Sequence, residues 1–142
     1  MIIQQLSIFL ENKTGRLTEV TQVLGQAGIN LSAFSMAESS DFGIMRVILS
    51  DPEKAQHLLT EKGFTVTLSD VVCLRVPNTP GTLSQALLVL SEAGVSIEYM
   101  YAFARKDDAA LVVIRANDTQ RCIDALQSSN LNLVKASEMY DF

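Results

Sequence analysis

Residues able to do covalent or metal chemistry are few in this sequence, and they are scattered. His57 is the single histidine; it stands in a helical stretch beside Leu58 and Leu59 with no cysteine or acidic companion at metal-ligand spacing, so a surface or packing role is expected. Cys73 and Cys122 lie in apolar segments, where reduced, buried thiols are the expectation rather than a disulfide. No Ser-His-Asp or Cys-His pair can be assembled, so no enzyme activity, metal or cofactor is expected. Two short loops remain. Asn12-Lys13-Thr14-Gly15-Arg16-Leu17 and Asn78-Thr79-Pro80-Gly81-Thr82-Leu83 each set an amide three residues before a glycine, with helical spacing after it. A glycine there lets the backbone bend closely, helix-start N–H groups suit a carboxylate, and an amide can meet an ammonium group. The same pattern is also ordinary turn chemistry, and Arg16 reads first as a solvated helix residue and only second as a bidentate carboxylate clamp.

The two loops belong to a repeat, which determines the elements around them. A shift of 66 positions lays the first loop on the second, Val23-Leu24 on Val89-Leu90, and Ala27-Gly28-Ile29-Asn30-Leu31 on Ala93-Gly94-Val95-Ser96-Ile97. It also lays Met45-Arg46-Val47-Ile48 on Leu111-Val112-Val113-Ile114 and Asp51 on Asn117; beyond Asp51 the second copy needs one extra residue. Leu6, Ile8 and Leu10 alternate with Gln5, Ser7 and Phe9, and Val72, Leu74 and Val76 occupy the equivalent positions of the second copy, predicting an opening strand in each. Leu17, Val20, Val23, Leu24 and Ala27 have helical spacing, as do Leu83, Ala86, Leu87, Leu90 and Ala93, with Gly28 and Gly94 as C-caps and Thr79-Pro80 reading as N-cap and N1. Two strands follow, Ile29–Glu38 and Gly43–Leu49, turning at Ser39-Ser40-Asp41, against Val95–Ala104 and Ala109–Arg115, turning at Lys106-Asp107-Asp108. Asp51-Pro52 and Asn117-Asp118 open a second helix, and Phe64–Leu68 or Leu131–Ala136 close each unit. The order βαββαβ is that of the ferredoxin-like sandwich, an α+β fold with both helices on one face of an antiparallel sheet. Two domains are expected, 1–69 and 70–142.

Composition supports folded domains and removes several partners. Hydrophobic residues form 48% of 142 and charged ones 19%, which fits packed cores rather than a disordered chain. Eleven Lys and Arg against 16 Asp and Glu give a net charge of −5, so no broad positive field draws nucleic acid or anionic lipid. The opening residues, Met1 to Leu10, carry no basic leader and alternate apolar with polar, so neither a signal peptide nor a membrane span is expected and the cytoplasm is the expected compartment. Other proteins of this topology are excluded by residue type. Acylphosphatases need a glycine-rich loop with a phosphate-binding arginine, ferredoxins need more cysteines, and RNA-binding sheets need aromatics on the third strand.

Two units of this order, each with Asn-x-x-Gly-x-Leu after the first strand and Ala-Gly-(Ile/Val)-x-(Leu/Ile) before the second, resemble the ACT domain family. The resemblance covers nearly the whole chain and implies a stand-alone tandem ACT protein. It implies units paired side by side into a continuous antiparallel sheet, and a regulatory, allosteric sensor of a free amino acid bound at the seam between them. Carried onto this sequence, the implied ligand residues are Asn12, Gly15, Arg16, Leu17, Asn30, Leu31, Ser35 and Met36 in the first copy. In the second they are Asn78, Pro80, Gly81, Thr82, Leu83, Ser96, Ile97 and Tyr101. Pro80 makes the second loop the stiffer one and the closer to the family pattern.

The faces of the strands carry a separate expectation. If Leu6, Ile8, Leu10, Met45 and Val47 face the helices, alternation sends Phe9, Ile44 and Ile48 to the opposite face, with Val71, Cys73, Val112 and Ile114 from the second copy. An apolar outer face predicts a covering surface. The expected cover is a second copy, giving a homodimer; the alternative is a partner-binding module, a regulatory subunit that docks on a metabolic enzyme through that face. Tyr99, Tyr101 and Phe103 could wall a pocket or simply pack. Which amino acid binds is left open by Leu17, Leu31, Met36, Ile97 and Tyr101, which suit aliphatic, aromatic and imidazole side chains alike.

Overall fold

The structure, a computed structural model, describes residues 1–39, 41–104 and 107–140. In chain order the elements are β1 (Ile3–Glu11), α1 (Arg16–Gln26), β2 (Leu31–Glu38), β3 (Phe42–Leu49), α2 (Pro52–Glu61) and β4 (Thr65–Pro77). There follow α3 (Thr82–Glu92), β5 (Ile97–Ala104), β6 (Ala109–Ala116), α4 (Thr119–Ser128), β7 (Asn132–Leu133) and α5 (Ala136–Tyr140). The chain divides into two compact units. The first holds Gln4–Ser69 with Ser137–Phe142, and the second holds Met1–Ile3 with Asp70–Ala136. The division falls inside β4, a 13-residue strand that the alternation had split into Phe64–Leu68 and a separate strand through Val76.

In the first unit the strand order is β2-β3-β1-β4, with the residues of β4 up to Ser69 belonging to it. β1 pairs antiparallel with β3, Ile8 opposite Met45, and β3 pairs antiparallel with β2, Met36 opposite Met45. Period-two alternation points Leu6, Ile8, Leu10, Met45 and Val47 to one face, where they meet Val20 and Leu24 of α1 and Ala55 and Leu59 of α2 in a single core. The second unit repeats the order as β5-β6-β4-β7. Its core joins Val72, Leu74, Val76, Val112 and Ile114 to Ala86, Leu90, Cys122 and Leu126. Each unit is therefore the expected α+β sandwich.

Local chemistry explains the helix ends. Asp51 and Asp118 are N-caps whose carboxylates accept from Lys54 N and Arg121 N, with Pro52 at the first turn of α2. Gly28, Gly63 and Gly94 take the left-handed C′ position at φ 73°, 88° and 73°. One expected cap moves: α3 starts at Thr82 behind a left-handed Gly81, not at Thr79-Pro80. The turn residues Ser40 and Lys106 lie outside the described residues.

Three further expectations are corrected. The extra residue of the second copy lies before β6, not after Asp51. Ser50 N donates to Asn30 O and Asn117 N to Ser96 O, and Asp51 matches the cap Asp118, so the shift is already 67 there. Met45 and Val47 thus correspond to Val112 and Ile114, which belong to the helix-facing core. Leu111 and Val113 take the opposite face, because one residue of slip reverses every side chain of a strand. Val71, Cys73, Leu111, Val113 and Ile48 are fully buried, so most of the expected open apolar face is closed to solvent. Finally, the closing segment of the second copy is a two-residue strand, β7, followed by the short helix α5. Met139 of that helix is fully buried, and Tyr140 Oη accepts from Gln4 N at 3.0 Å within the first unit.

Candidate functional site

The loop after the first strand has the same backbone in both units. Gly15 (φ 92°) and Gly81 (φ 90°) sit left-handed at the N-caps of α1 and α3. Added Cβ atoms there would meet nothing within 4 Å, so glycine is required for conformation, not space. Asn12 N donates to Asp41 O and Asn78 N to Asp108 O; Arg16 N donates to Lys13 O and Thr82 N to Thr79 O. Pro80 therefore makes the second loop no different in shape from the first, which lacks a proline.

The side chains on those backbones differ. In the first unit, Leu10, Glu11, Asn12, Lys13, Arg16, Leu17, Met36, Glu38, Phe42 and Gly43 line a cleft of about 190 Å³. Lys13 Nζ lies 2.8 Å from Glu11 Oε2, Arg16 Nη2 lies 3.6 Å from Glu11 Oε1, and Arg16 Nη1 lies 3.0 Å from Glu19 Oε2. The guanidinium stacks over the buried Phe64 ring, 4.9 Å from its centroid, which fixes where the charge sits. The hydrogen bond and charge of Lys13, then the charge of Arg16, hold the Glu11 carboxyl below the usual carboxylate range. Leu17 and Met36 are exposed on the cleft. Gly43 makes room for Met36, whose Cε would be 3.3 Å from a Cβ there.

Of the residues named from the sequence, Asn12, Arg16, Leu17 and Met36 meet in this cleft, with Gly15 setting the loop. Asn30 and Leu31 do not join them. Strand β2 runs toward the loop, so its first residue Leu31 pairs with Leu49 at the far end of the hairpin and packs on the core, while Asn30 N donates to Ser50 Oγ. Ser35 pairs with Arg46 on the face opposite Met36. In the second unit Thr82 Oγ1 donates to Pro77 O at 2.7 Å and Thr79 O at 3.0 Å, folding onto its own loop. Leu83 and Ile97 pack on the core, and Ser96 N donates to Asn117 Oδ1. Tyr101 pairs with Val113, on the face away from the helices. Asn78 and Pro80 are exposed. A second-unit cleft of about 260 Å³, lined by Arg75, Val76, Pro77, Asp107, Asp108, Ala109 and Asn132, contains none of the named residues.

Sequence reasoning missed Glu11, Lys13, Glu38, Phe42 and Gly43. The signal for Glu11 and Lys13 was present in Glu11-x-Lys13-x-x-Arg16, a charge cluster around the glycine turn; the others depend on hairpin register. Among the described residues no group of three or more His, Cys, Asp and Glu could hold a metal. His57 pairs on the surface with Glu61, Nε2 to Oε1 2.9 Å. Burial pushes the Cys73 thiol to about 12 and the Cys122 thiol to about 11, far from nucleophilic at neutral pH.

The ACT domain pair family matches residues 1–142. The chain belongs to the ACT domain family. This ACT domain pair is similar to protein BT0572 from Bacteroides thetaiotaomicron, with a TM-score of 0.96, 51% identity, and coverage of 100% of this chain and 98% of that one. It shares its fold with the regulatory subunit of aspartate kinase from Thermus thermophilus, in its ligand-free form, at a TM-score of 0.65 and 17% identity over 88% and 91% of the chains. The corresponding subunit from Thermus flavus gives 0.61 and 18% over 88% and 90%. No functionally curated protein matches the ACT domain pair. ACT domains are regulatory rather than catalytic units. No helix among the described residues is long and apolar enough to cross a membrane.

Proposed function

We propose that this ACT domain pair is a non-catalytic, regulatory sensor of a free amino acid, captured in the cleft beside the Gly15 turn. The observation that carries the reading is that the cleft brings Met36 of β2 to Asn12, Arg16 and Leu17 of the turn, so that the cations Lys13 and Arg16 and the apolar Leu17, Met36 and Phe42 line one space. Its volume, about 190 Å³, falls below the roughly 300–1,000 Å³ of drug-sized pockets and suits an amino acid. A ligand carboxylate would meet Lys13, Arg16 and the start of α1, where the helix dipole also favours it. The ammonium group would meet Glu38 and the Asn12 amide, and an apolar side chain would rest on Leu17, Met36 and Phe42. The reduced thiols accord with a cytoplasmic setting.

A thermal-shift panel of the twenty free amino acids tests this. Ligand at 100 times its dissociation constant stabilises by about 2.7 kcal/mol, and a flat panel at millimolar ligand refutes the reading. Whether the Asn78-Gly81 loop takes part is read from Asn78→Ala: unchanged affinity makes that loop a brace. The second reading, docking on a metabolic enzyme, is favoured by one observation. Phe9 and Phe42, 44% and 54% exposed, line an apolar cleft of about 450 Å³ with Ala37 and Ile44 on the first unit's outer face. Co-purification of a stoichiometric enzyme, lost on Phe42→Glu, supports docking; no partner with or without amino acids refutes it.

A further inference from the structure

We propose that Glu11 is a built-in competitor for the cationic wall of the first unit's cleft, its carboxylate holding Lys13 and Arg16 until a ligand carboxylate replaces it, and that capture belongs to this unit alone. The proposal rests on the amino-acid reading above and adds which side chain sets affinity and which copy binds.

The argument comes from comparing the copies. Glu11, Lys13, Arg16 and Glu19 of the first loop correspond to Pro77, Thr79, Thr82 and Gln85 of the second, so all four charges are absent there. Yet the two backbones agree, in glycine dihedrals and in hydrogen bonds, down to Glu19 N donating to Gly15 O and Gln85 N to Gly81 O. A loop that takes this shape without the charges does not need them to fold. The ion pairs are exposed, with Glu11 at 48% and Lys13 at 72% side-chain exposure, and such pairs add little stability. They do place two cations where a carboxylate already sits. Glu11 lines the cleft, whereas Glu19 holds Arg16 from the helix. Arg16 is anchored on Phe64, and its Nε is a buried donor with no acceptor among the described residues. Its 3.6 Å approach to Glu11 is longer than its 3.0 Å contact with Glu19, so Glu11 is the partner that yields. In the second unit the Thr82 hydroxyl takes the place of Arg16 and is spent on its own loop.

The test compares wild type, Glu11→Gln, Glu11→Gln/Arg16→Met and Thr82→Val against the twenty free amino acids and the carboxamide of the strongest responder, by thermal shift and calorimetric titration. Glu11→Gln is expected to tighten amino-acid binding by about two- to fivefold, the scale of an exposed ion pair, with no gain for the carboxamide. The double variant loses the gain, and Thr82→Val binds as wild type does. Equal or weaker binding by Glu11→Gln, an equal gain for the carboxamide, or loss of binding in Thr82→Val overturns the proposal. Flat panels for both wild type and Glu11→Gln overturn it too, whereas a flat wild type with a responsive Glu11→Gln supports the competitor and refutes the sensor reading for the unaltered protein.

Discussion

Arg16 has no slack. Its guanidinium is shared between two carboxylates and a ring, so a change in any of these neighbours is felt at the cleft. Glu11 gives this a pH signature. Its carboxyl lies below the ordinary 4.5 because Lys13 and Arg16 favour the charged form. The stabilising contribution of its pairs is therefore present above the unfolded value and lost as pH falls through the folded one. Melting temperatures of wild type and Glu11→Gln measured from neutral to acidic pH should converge below that range. At the turn glycines, alanine imposes left-handed strain of about 1 kcal/mol or more, so Gly15→Ala and Gly81→Ala should lower stability alike in denaturant titration, while only Gly15→Ala should also weaken amino-acid binding. The thiols carry the opposite sign from Glu11. Burial raises both, so the folded chain should resist a thiol reagent at neutral pH and react at both cysteines only once denatured. Asn12, Gly15 and Leu17 were legible because they sit in one short loop that repeats as Asn78, Gly81 and Leu83, and Arg16 because it stands between two of them. Glu38 and Phe42 were not, because only the pairing of β2 with β3 brings them to the same loop.

Among the elements, most of the order could be read because each was written twice and each had its own terminator. The caps Asp51 and Asp118 are an example: Asp→Ala at either should cost about 1 kcal/mol, seen as a lower denaturation midpoint. The misplaced extra residue and the misassigned outer face have one physical origin. In Leu111-Val112-Val113-Ile114 every residue is apolar and buried, so hydrophobicity cannot tell which alternate residues face the helices. Met45-Arg46-Val47 carries an arginine that reveals the phase; the second copy has Val113 in its place. The slip in the hairpin was invisible for that reason, and the outer face was misassigned with it. The early end of β7 and the helix α5 were not legible because the first copy has no counterpart for them: Phe64–Leu68 runs on into a long strand, whereas the closing strand of the second copy stops at Leu133.

For the molecule as a whole, burial separates two kinds of apolar surface. Val113 is fully buried although it faces away from the helices, so Val113→Asn should destabilise by about 2–4 kcal/mol, through lost packing and an unsatisfied amide; a neutral effect in urea titration would mean that this face is open in solution. Phe9 and Phe42 are 44% and 54% exposed on the first unit's outer face, and they carry what remains of the homodimer expectation. Light scattering at micromolar concentration should give twice the chain mass, falling to one with Phe9→Glu/Phe42→Glu; a monomeric wild type removes the dimer. The membership of Ser137–Tyr140 has a consequence for biosynthesis. Domains usually fold in the order they leave the ribosome, at about 5–20 residues per second. Here the first unit lacks its buried Met139 and the Tyr140 hydroxyl that receives Gln4 N until roughly 70 further residues have been made, several seconds later at that rate. The nascent first half has to wait, partly exposed, for the second half to be translated, and that interval is when a chaperone would find it.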